Sequence, residues 1–546
     1  MKIALAQINT TVGDFEGNVA KILQYARMAV DRQAHLVVFP EMAVCGYPPR
    51  DLVERRDFIE RSEAELSRLA HLLPDIPALI GYVRASGVQA GKAVSNAAAL
   101  VCRGRILLDY VKILLPFYDV FEESRYFEPG NSVGIYDLEG MRIGVTICED
   151  IWNDKNFWRK RLYTRDPVEE ITRAGAKVLL NIASSPYSTE KLQLRHDMLR
   201  TIAVEHRIPV AYVNHVGGND QLILDGSSLA FDAGGTLVAR AKSFEEDLVF
   251  FDTNGTQGEI HDAPASEIDA VYRALLLGTR DYMRKCGFKQ AIIGLSGGID
   301  SSVVATLAAD ALGPENVHAI AMPGPYSSPG SLSDAEELAK RLGVDFRIIP
   351  ISSIYDIYLK TLESSFHGFE SDVTEENIQA RVRGNILMAL SNKLGAMVLS
   401  TGNKSELAVG YCTLYGDMAG GLSVIADVPK TMVYSLARHL NREKERIPKS
   451  CIEKAPSAEL KAGQMDQDTL PPYEILDLIL KNVIEDRLCA KDIAAKCKVN
   501  LLLVEDVMRR VTRAEYKRQQ AAPALKVTAK AFGMGRRYPI AQKFIG

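Results

Sequence analysis

Nowhere in these 546 residues is there an uninterrupted apolar stretch long enough to span a bilayer, which excludes the helical membrane proteins. The eight cysteines (Cys45, Cys102, Cys148, Cys286, Cys412, Cys451, Cys489 and Cys497) include no close pairs of metal-finger spacing. The nine histidines form no H-x-x-x-H or H-E-x-x-H pattern, so no structural zinc site is expected. In a chain of this size the thiols are expected to be reduced, as in a cytoplasm. A net charge of only −4 supplies no field for coating nucleic acid or an anionic membrane, and neither is expected as a partner. Internal repeats, low-complexity tracts and the G-x-x-x-x-G-K-[ST] phosphate loop are likewise missing. The opening MKIALAQINTTVGDF lacks the long apolar core of an export signal and reads as a first strand.

What is present is an ordinary globular composition, 47% hydrophobic and 25% charged, in a chain too long for one core. Two domains are expected. Over residues 1–252, apolar runs such as KIALAQI, HLVVFPE, ALIGYV, NAAALVC, RILLDYVKI, RIGVTICED, KVLLNIA, PVAYVNHV and DLVFFD read as strands. Helical periodicity appears between them at Asn18–Gln33 and Glu60–Leu72, giving an α/β domain. Residues 253–266, TNGTQGEIHDAPAS, are polar and aperiodic and read as a linker. Residues 267–546 begin a second α/β pattern. A long helix runs to about Cys286, followed by the strand AIIGLS, a helix from Ser301, and the strands VHAIAM, DFRIIPI and MVLST. That spacing predicts a doubly wound parallel sheet with a mostly helical C-terminal part. The basic ending FGMGRRYPIAQKF is expected to be a solvated tail on the surface.

The stretch AIIGLSGGIDSSVVA, residues 291–305, admits two chemistries. Gly294-Leu295-Ser296-Gly297-Gly298 fits the G-x-S-x-G nucleophile elbow, and the same glycines suit a loop holding phosphate at a helix N-terminus. An elbow needs an acid and then a histidine downstream, and His318, His367 and His439 all lie in unsuitable contexts. A lysine-free loop with its own carboxylate, Asp300, suits a Mg²⁺-bound pyrophosphate instead.

That loop resembles the fingerprint of the ATP pyrophosphatase family, which cleaves ATP between its α- and β-phosphates. QARVRGN (379–385), TGNKSE (401–406), VGYCTLYGD ending at Asp417, DVPKT with Lys430, and KAPSAELKAGQMDQDTLPPYEILD extend the resemblance to the NAD synthetases across most of residues 270–480. The resemblance implies an ATP site at Gly294, Leu295, Ser296, Gly297, Gly298, Ile299, Asp300, Ser301 and Thr401. It implies Mg²⁺ on Asp300 and Glu406, and a deamido-NAD site involving Arg381, Glu406, Asp417, Lys430 and Ser457. The chemistry has a motive: ammonia does not displace oxide from a carboxylate, whereas transfer of AMP to it supplies a leaving group.

In the first half, Glu41 closes HLVVFPE, Lys112 lies in LLDYVKILLP and Cys148 closes RIGVTICED. Taken singly, each has an ordinary role: a loop carboxylate, an exposed cation, a small buried thiol. Together, FPEM, VKILLPFYDVFEESRYFEPG and ICEDIW resemble the nitrilase-type carbon–nitrogen hydrolases over about residues 1–250, implying an α-β-β-α sandwich. The resemblance implies that Cys148 attacks the glutamine side-chain amide, Glu41 moves the proton and Lys112 stabilises the oxyanion. Glu122 or Glu123 would hold the lysine, with Glu123 favoured. Tyr118, Glu149, Ser185 and Lys191 are expected to read the glutamine.

A glutaminase joined to an adenylating synthetase is the arrangement of the glutamine-dependent NAD synthetases, and the chain is identified as a member of that family. The implied substrates are deamido-NAD, ATP and glutamine. Because ammonium is not a nucleophile, a sheltered path keeping ammonia neutral has a chemical motive. A homo-oligomer is expected by resemblance. The alternatives are another glutamine-fed adenylating amidotransferase, such as a GMP or asparagine synthetase, and a non-catalytic nucleotide-binding protein.

Overall fold

The computed structural model describes residues 1–255 and 258–544. Thr256 and Gln257 of the expected linker lie outside the described residues, as do Ile545 and Gly546. The chain divides into two compact units, Met1–Ala265 and Ser266–Gly546.

Strands buried on both faces build the first unit. In Lys2–Gln7, successive side chains point to opposite faces, and all of Ile3, Ala4, Leu5 and Ala6 are buried. Such a strand requires a layer on each side. Ile3 and Leu5 join Val38, Leu79 and Leu100 in a core shared with Val145, Ile147 and Leu180 of a second sheet. Ala4 and Ala6, with Val37 and Phe39, pack instead on Val19, Ile22 and Ala26 of the helix Phe15–Asp31 and on Leu66 and Leu69 of the helix Arg56–Leu72. Met198, Leu199 and Ile202 of the helix Lys191–His206 belong to the shared core on the far sheet. The layers are helix, sheet, sheet, helix, as expected.

The first sheet runs Asp247–Asp252, Lys2–Gln7, Leu36–Val38, Ala78–Ala85, Val94–Cys102, Arg105–Val111. The second runs Gly134–Leu138, Met141–Ile147, Val178–Ala183, Val210–Asn214, Leu229–Phe231, Leu237–Arg240. In each, one antiparallel strand, three mutually parallel strands and two further antiparallel strands follow in that order. One pairing scheme is used twice although the sequence shows no repeat, because burial pattern rather than residue identity carries it. The apolar run HLVVFPE yields only the three-residue strand Leu36–Val38. Pro40, which has no N–H to donate, ends it and the chain turns toward Glu41. Gly81 permits that turn, since a Cβ there would meet Pro40 O at 2.5 Å and Met42 N at 2.3 Å.

The second unit has five parallel strands in the order Asp345–Ile348, Val317–Ala321, Ala291–Gly294, Met397–Ser400, Leu422–Ser423. The chain moves outward from Ala291–Gly294 in one direction and then returns to its other side at Met397–Ser400. The switch point between those two strands is where such sheets open a ligand crevice at their carboxyl ends. The helix after the loop begins at Ile299, two residues before Ser301, with Gly298 as its flank. Beyond the sheet, the helices Tyr473–Ile484, Ala490–Cys497 and Leu501–Arg513 close around Leu476, Ile479, Ile493, Val504 and Val507. The basic ending is exposed over most of residues 537–544, as expected, and departs from expectation at its start. Phe532 and Arg536 are buried, because Arg536 donates to buried Glu515 at 2.8 Å, whereas Tyr538 and Phe544 are exposed. Among the described residues no helix is long and apolar enough to cross a membrane.

Candidate active sites

Glu41 lies just past Leu36–Val38, Lys112 directly after Arg105–Val111, and Cys148 directly after Met141–Ile147, so three strand ends deliver the trio. All three are buried. Lys112 Nζ lies 2.8 Å from Glu41 Oε1 and 2.7 Å from Glu123 Oε2. Asn96 Nδ2 donates to Glu41 Oε1 at 2.7 Å and to Glu123 Oε2 at 3.3 Å, and Tyr47 OH donates to Glu123 Oε1 at 3.2 Å. Ser184 Oγ, from the second sheet, donates to the Glu41 carbonyl at 3.1 Å. Glu41 Oε1 is thus doubly held, whereas Oε2 is buried with no hydrogen-bond partner. An unpartnered buried carboxylate oxygen is costly unless it has work to do.

The electrostatics divide the roles. Burial opposes the charge on Lys112, but the carboxylates of Glu123 and Glu41 outweigh it and hold the ammonium protonated well beyond the usual lysine range. One cation between two carboxylates leaves a surplus negative charge, and burial pushes Glu123 up to about 7. Burial, reinforced by the charge of Glu41, pushes the Cys148 thiol well above its ordinary value. Cys148 is therefore held as a thiol. It sits at φ +42°, a sparsely populated conformation for a residue with a Cβ, at the head of the 3-10 turn Cys148–Ile151.

Of the residues expected at the glutamine, Glu149 and Tyr118 meet. Tyr118 OH lies 3.1 and 2.9 Å from the two Glu149 oxygens. Burial raises Glu149 to about 7, against the nearby charge of Lys112 and these hydroxyls. Lys191 Nζ donates to Pro186 O at 2.8 Å and lies over the Trp152 ring at 5.6 Å, while the Ser185 amide donates to Asn214 Oδ1 at 2.8 Å. Two partners escaped sequence reading. Tyr163 OH donates to Glu149 Oε1 at 3.1 Å, from a loop with no periodic signal. Asp150 accepts from the amides of Ile113, Leu114 and Ile147 at 3.1, 2.8 and 3.0 Å and from Tyr110 OH at 2.8 Å. It ties the end of the Lys112 strand to the entry of the cysteine turn.

In the second unit, the loop at Ser296 opens on a cavity of about 440 Å³ at the sheet's switch point. Ser296 Oγ and Ser301 Oγ are 3.0 Å apart, and the Gly298 amide donates to Ser296 Oγ at 3.2 Å. Among the described residues no histidine lines this cavity, and His318 pairs with Asp345 and His439 with Asp269. The elbow reading therefore lacks its base. Gly297 adopts φ +76°, and a Cβ there would meet Ser331 O at 2.1 Å. Lys430 Nζ bridges Asp300 Oδ2 and Glu406 Oε1, with Asn403 Nδ2 on Asp300 Oδ1 at 3.0 Å. Burial, with Asp300 adding to it against Lys430, raises Glu406 to about 7.

Gly294, Leu295, Ser296, Gly298, Ile299, Asp300, Ser301, Thr401, Glu406, Asp417, Lys430 and Ser457 all line this cavity. Asp417, raised to about 6 by burial, accepts from the Thr413 amide at 2.6 Å. Ser457 Oγ donates to Gln464 O at 2.5 Å. Arg381 is exposed, donates to Leu414 O at 3.3 Å, and is not among the lining residues. Two residues on, Arg383 is, with burial lowering it to about 10. Lys454 and Lys517 add further positive charge to the lining. Arg383 and Lys454 lie within motifs already singled out, whereas nothing in the sequence marks Lys517. A second hollow of about 660 Å³ adjoins the first, sharing Glu376, Tyr411 and Gln464.

Residues 2–257 match the family model for carbon-nitrogen hydrolases, and residues 271–521 match that for NAD synthase. The chain is 46% identical to the glutamine-dependent NAD(+) synthetase of Synechocystis sp. over 551 residues, covering 99% of each. It is 42% identical to that of Thermotoga maritima, covering 100% of this chain and 99% of the other. Among solved structures, the glutamine-dependent NAD+ synthetase of Acinetobacter baumannii in complex with ADP is similar at a TM-score of 0.78 and 40% identity, covering 99% and 98% of the two chains.

Proposed function

The chain belongs to the glutamine-dependent NAD(+) synthetases, and from that premise we propose which of its residues perform each step. The overall reaction is an ATP-dependent ligation. On this reading deamido-NAD, ATP, glutamine and water become NAD, AMP, pyrophosphate and glutamate.

Cys148 Sγ attacks the side-chain carbonyl of glutamine. Its proton passes to Glu41 Oε2, the oxygen free to receive it, and from there to the departing ammonia. Lys112, kept charged between Glu41 and Glu123, and the amide that follows Cys148 stabilise the oxyanion. Water then releases glutamate from the thioester. Tyr118, Glu149, Ser185 and Lys191 hold the glutamine, with the Glu149 carboxylate opposite its ammonium group. The observation that carries this half is the buried, unpartnered Glu41 Oε2 beside a thiol that does not ionise alone.

In the second unit, the deamido-NAD carboxylate attacks the α-phosphorus of ATP and pyrophosphate leaves. Ammonia then displaces AMP from the acyl adenylate. The loop Gly294–Ser301 and Thr401 receive the nucleotide, while Lys430, Asp417 and Ser457 serve the dinucleotide, and Arg381, outside the lining, is assigned no part. Asp300 and Glu406 are hard oxygen donors that both meet the Lys430 ammonium at the cavity wall, and they are the residues that would hold Mg²⁺. When bound it neutralises charge on the leaving pyrophosphate. A cytoplasmic location is proposed, since the cysteine spacing predicts no disulfide framework. A homo-oligomer is proposed from the family resemblance, for sedimentation to test.

Product analysis with Mg-ATP, deamido-NAD and either glutamine or ammonium tests the whole assignment. The parent is expected to form NAD and AMP from both donors, and Cys148→Ala from ammonium alone. Formation of ADP, or glutamine use by Cys148→Ala, overturns it.

A further inference from the structure

Glu406 stands on a helix of only six residues, Lys404–Val409. So short a helix is not stable by itself and takes its position from what holds its ends. Both ends are held from the C-terminal part of the chain. At the first turn, Lys404 is buried and its Nζ reaches Thr528 Oγ1 at 2.6 Å, Lys530 O at 2.9 Å, Glu485 Oε1 at 3.0 Å and Asp427 Oδ1 at 3.1 Å. Asp427, also buried, accepts from the amides of Val527 and Thr528 at 2.8 and 2.7 Å. At the last turn, Arg518 Nη1 donates to the carbonyls of Leu407 and Ala408 at 3.1 and 2.7 Å, the groups a helix end leaves unsatisfied. Arg518 is fixed by Glu515 at 2.7 Å, and Glu515 also takes Arg536 at 2.8 Å. The ring of Phe532 lies 4.6 Å from the Arg518 guanidinium.

Residues 524–536 lie beyond position 521, where the match to the NAD synthase model stops. None of Lys404, Asp427, Arg518 and Thr528 lines the cavity. Yet the helix they grip carries Glu406, and its flanking residue Asn403 holds Asp300. We infer that residues 524–536 are a clamp on this helix, and that Lys404 and Thr528 are positioning residues for the Asp300–Glu406–Lys430 cluster. A buried ammonium keeps its place only while its partners are complete. With Thr528 Oγ1 gone, Lys404 and the first helical turn shift, and the two carboxylates no longer converge at the phosphates. The inference rests on the reading of that cluster as the Mg-ATP site.

Thr528→Val removes the hydroxyl at nearly constant shape. In ammonium-driven NAD synthesis it is expected to raise the KM for ATP and the Mg²⁺ midpoint about tenfold or more, as losing a partner behind a ligand does. Glutamine hydrolysis is expected to stay at the parent rate, and Thr528→Ser to restore the parent values. Amide exchange in the ligand-free protein is expected to quicken over residues 404–410. Unchanged exchange there, or unchanged KM and Mg²⁺ midpoint while Glu406→Gln is inactive, overturns the clamp. If Glu406→Gln itself behaves as the parent, the cluster reading fails and the exchange measurement alone decides the clamp. Should Thr528→Val not fold, Arg536→Gln reaches the other end through Glu515 and Arg518 and carries the same expectations.

Discussion

At the scale of single residues, one electrostatic device occurs in both units: a buried lysine between two carboxylates. Lys112 lies between Glu41 and Glu123, and Lys430 between Asp300 and Glu406. Each trio keeps one negative charge in surplus, and in each burial raises one carboxyl group to about 7. In the first unit the surplus resides near a thiol that has a proton to give up. Glu41→Gln, which cannot take that proton, is expected to lower glutamine-driven synthesis by about a hundredfold or more. Ammonium-driven synthesis would keep the parent rate, and parallel assays with the two donors check this. In its proposed role Glu149, also raised to about 7, must be ionised to face the ammonium group of glutamine. A carboxyl group with a raised pKa gains its proton early as the solution is acidified, so the KM for glutamine is expected to climb as pH falls through about 7. A flat KM across that interval removes Glu149 from glutamine recognition.

At the scale of elements, precision comes from residues that touch no substrate. Asp150 fastens the Lys112 strand end to the cysteine turn through three backbone amides and one tyrosine. Asp150→Ala would strand these buried donors at about 1–3 kcal/mol for each group left unpaired. A loss of more than about 2 kcal/mol in denaturant unfolding is expected, together with loss of glutamine hydrolysis. Unchanged unfolding would show that water replaces the carboxylate. The loop before Ile299 depends on Gly297 in the same way. Gly297→Ala places a Cβ on the Ser331 carbonyl at a φ that side chains disfavour. ATP-dependent synthesis is expected to fail from either nitrogen donor, while glutamate release from glutamine persists.

At the scale of the whole molecule, two units with separate cores carry two chemistries. Glu406→Gln is therefore expected to stop NAD formation while glutamate release continues, the converse of Cys148→Ala. Glutamate release that stops together with NAD formation would mean the first half-reaction depends on the second. The doubled pairing scheme of the first unit also exists only at this scale, since no stretch of its sequence resembles another closely enough to announce it.

The sequence by itself determined the α/β class, and its motifs singled out the loop at Ser296 and, by resemblance, Glu41, Lys112 and Cys148, because apolar period and short motifs are local properties. The sequence favoured Glu123 over Glu122, but its contact with Lys112, Tyr163 behind Glu149 and Lys517 at the cavity wall were decided only by tertiary structure. Each depends on which side chain a loop or short helix turns inward, and no periodicity records that. The ending FGMGRRYPIAQKF shows the difference most plainly. Its basic composition suggests a solvated tail, yet the acceptor Glu515 and the ring of Phe532 draw Arg536 into the interior. A buried partner distant in sequence reverses what composition implies, because a charge is buried or exposed according to what meets it.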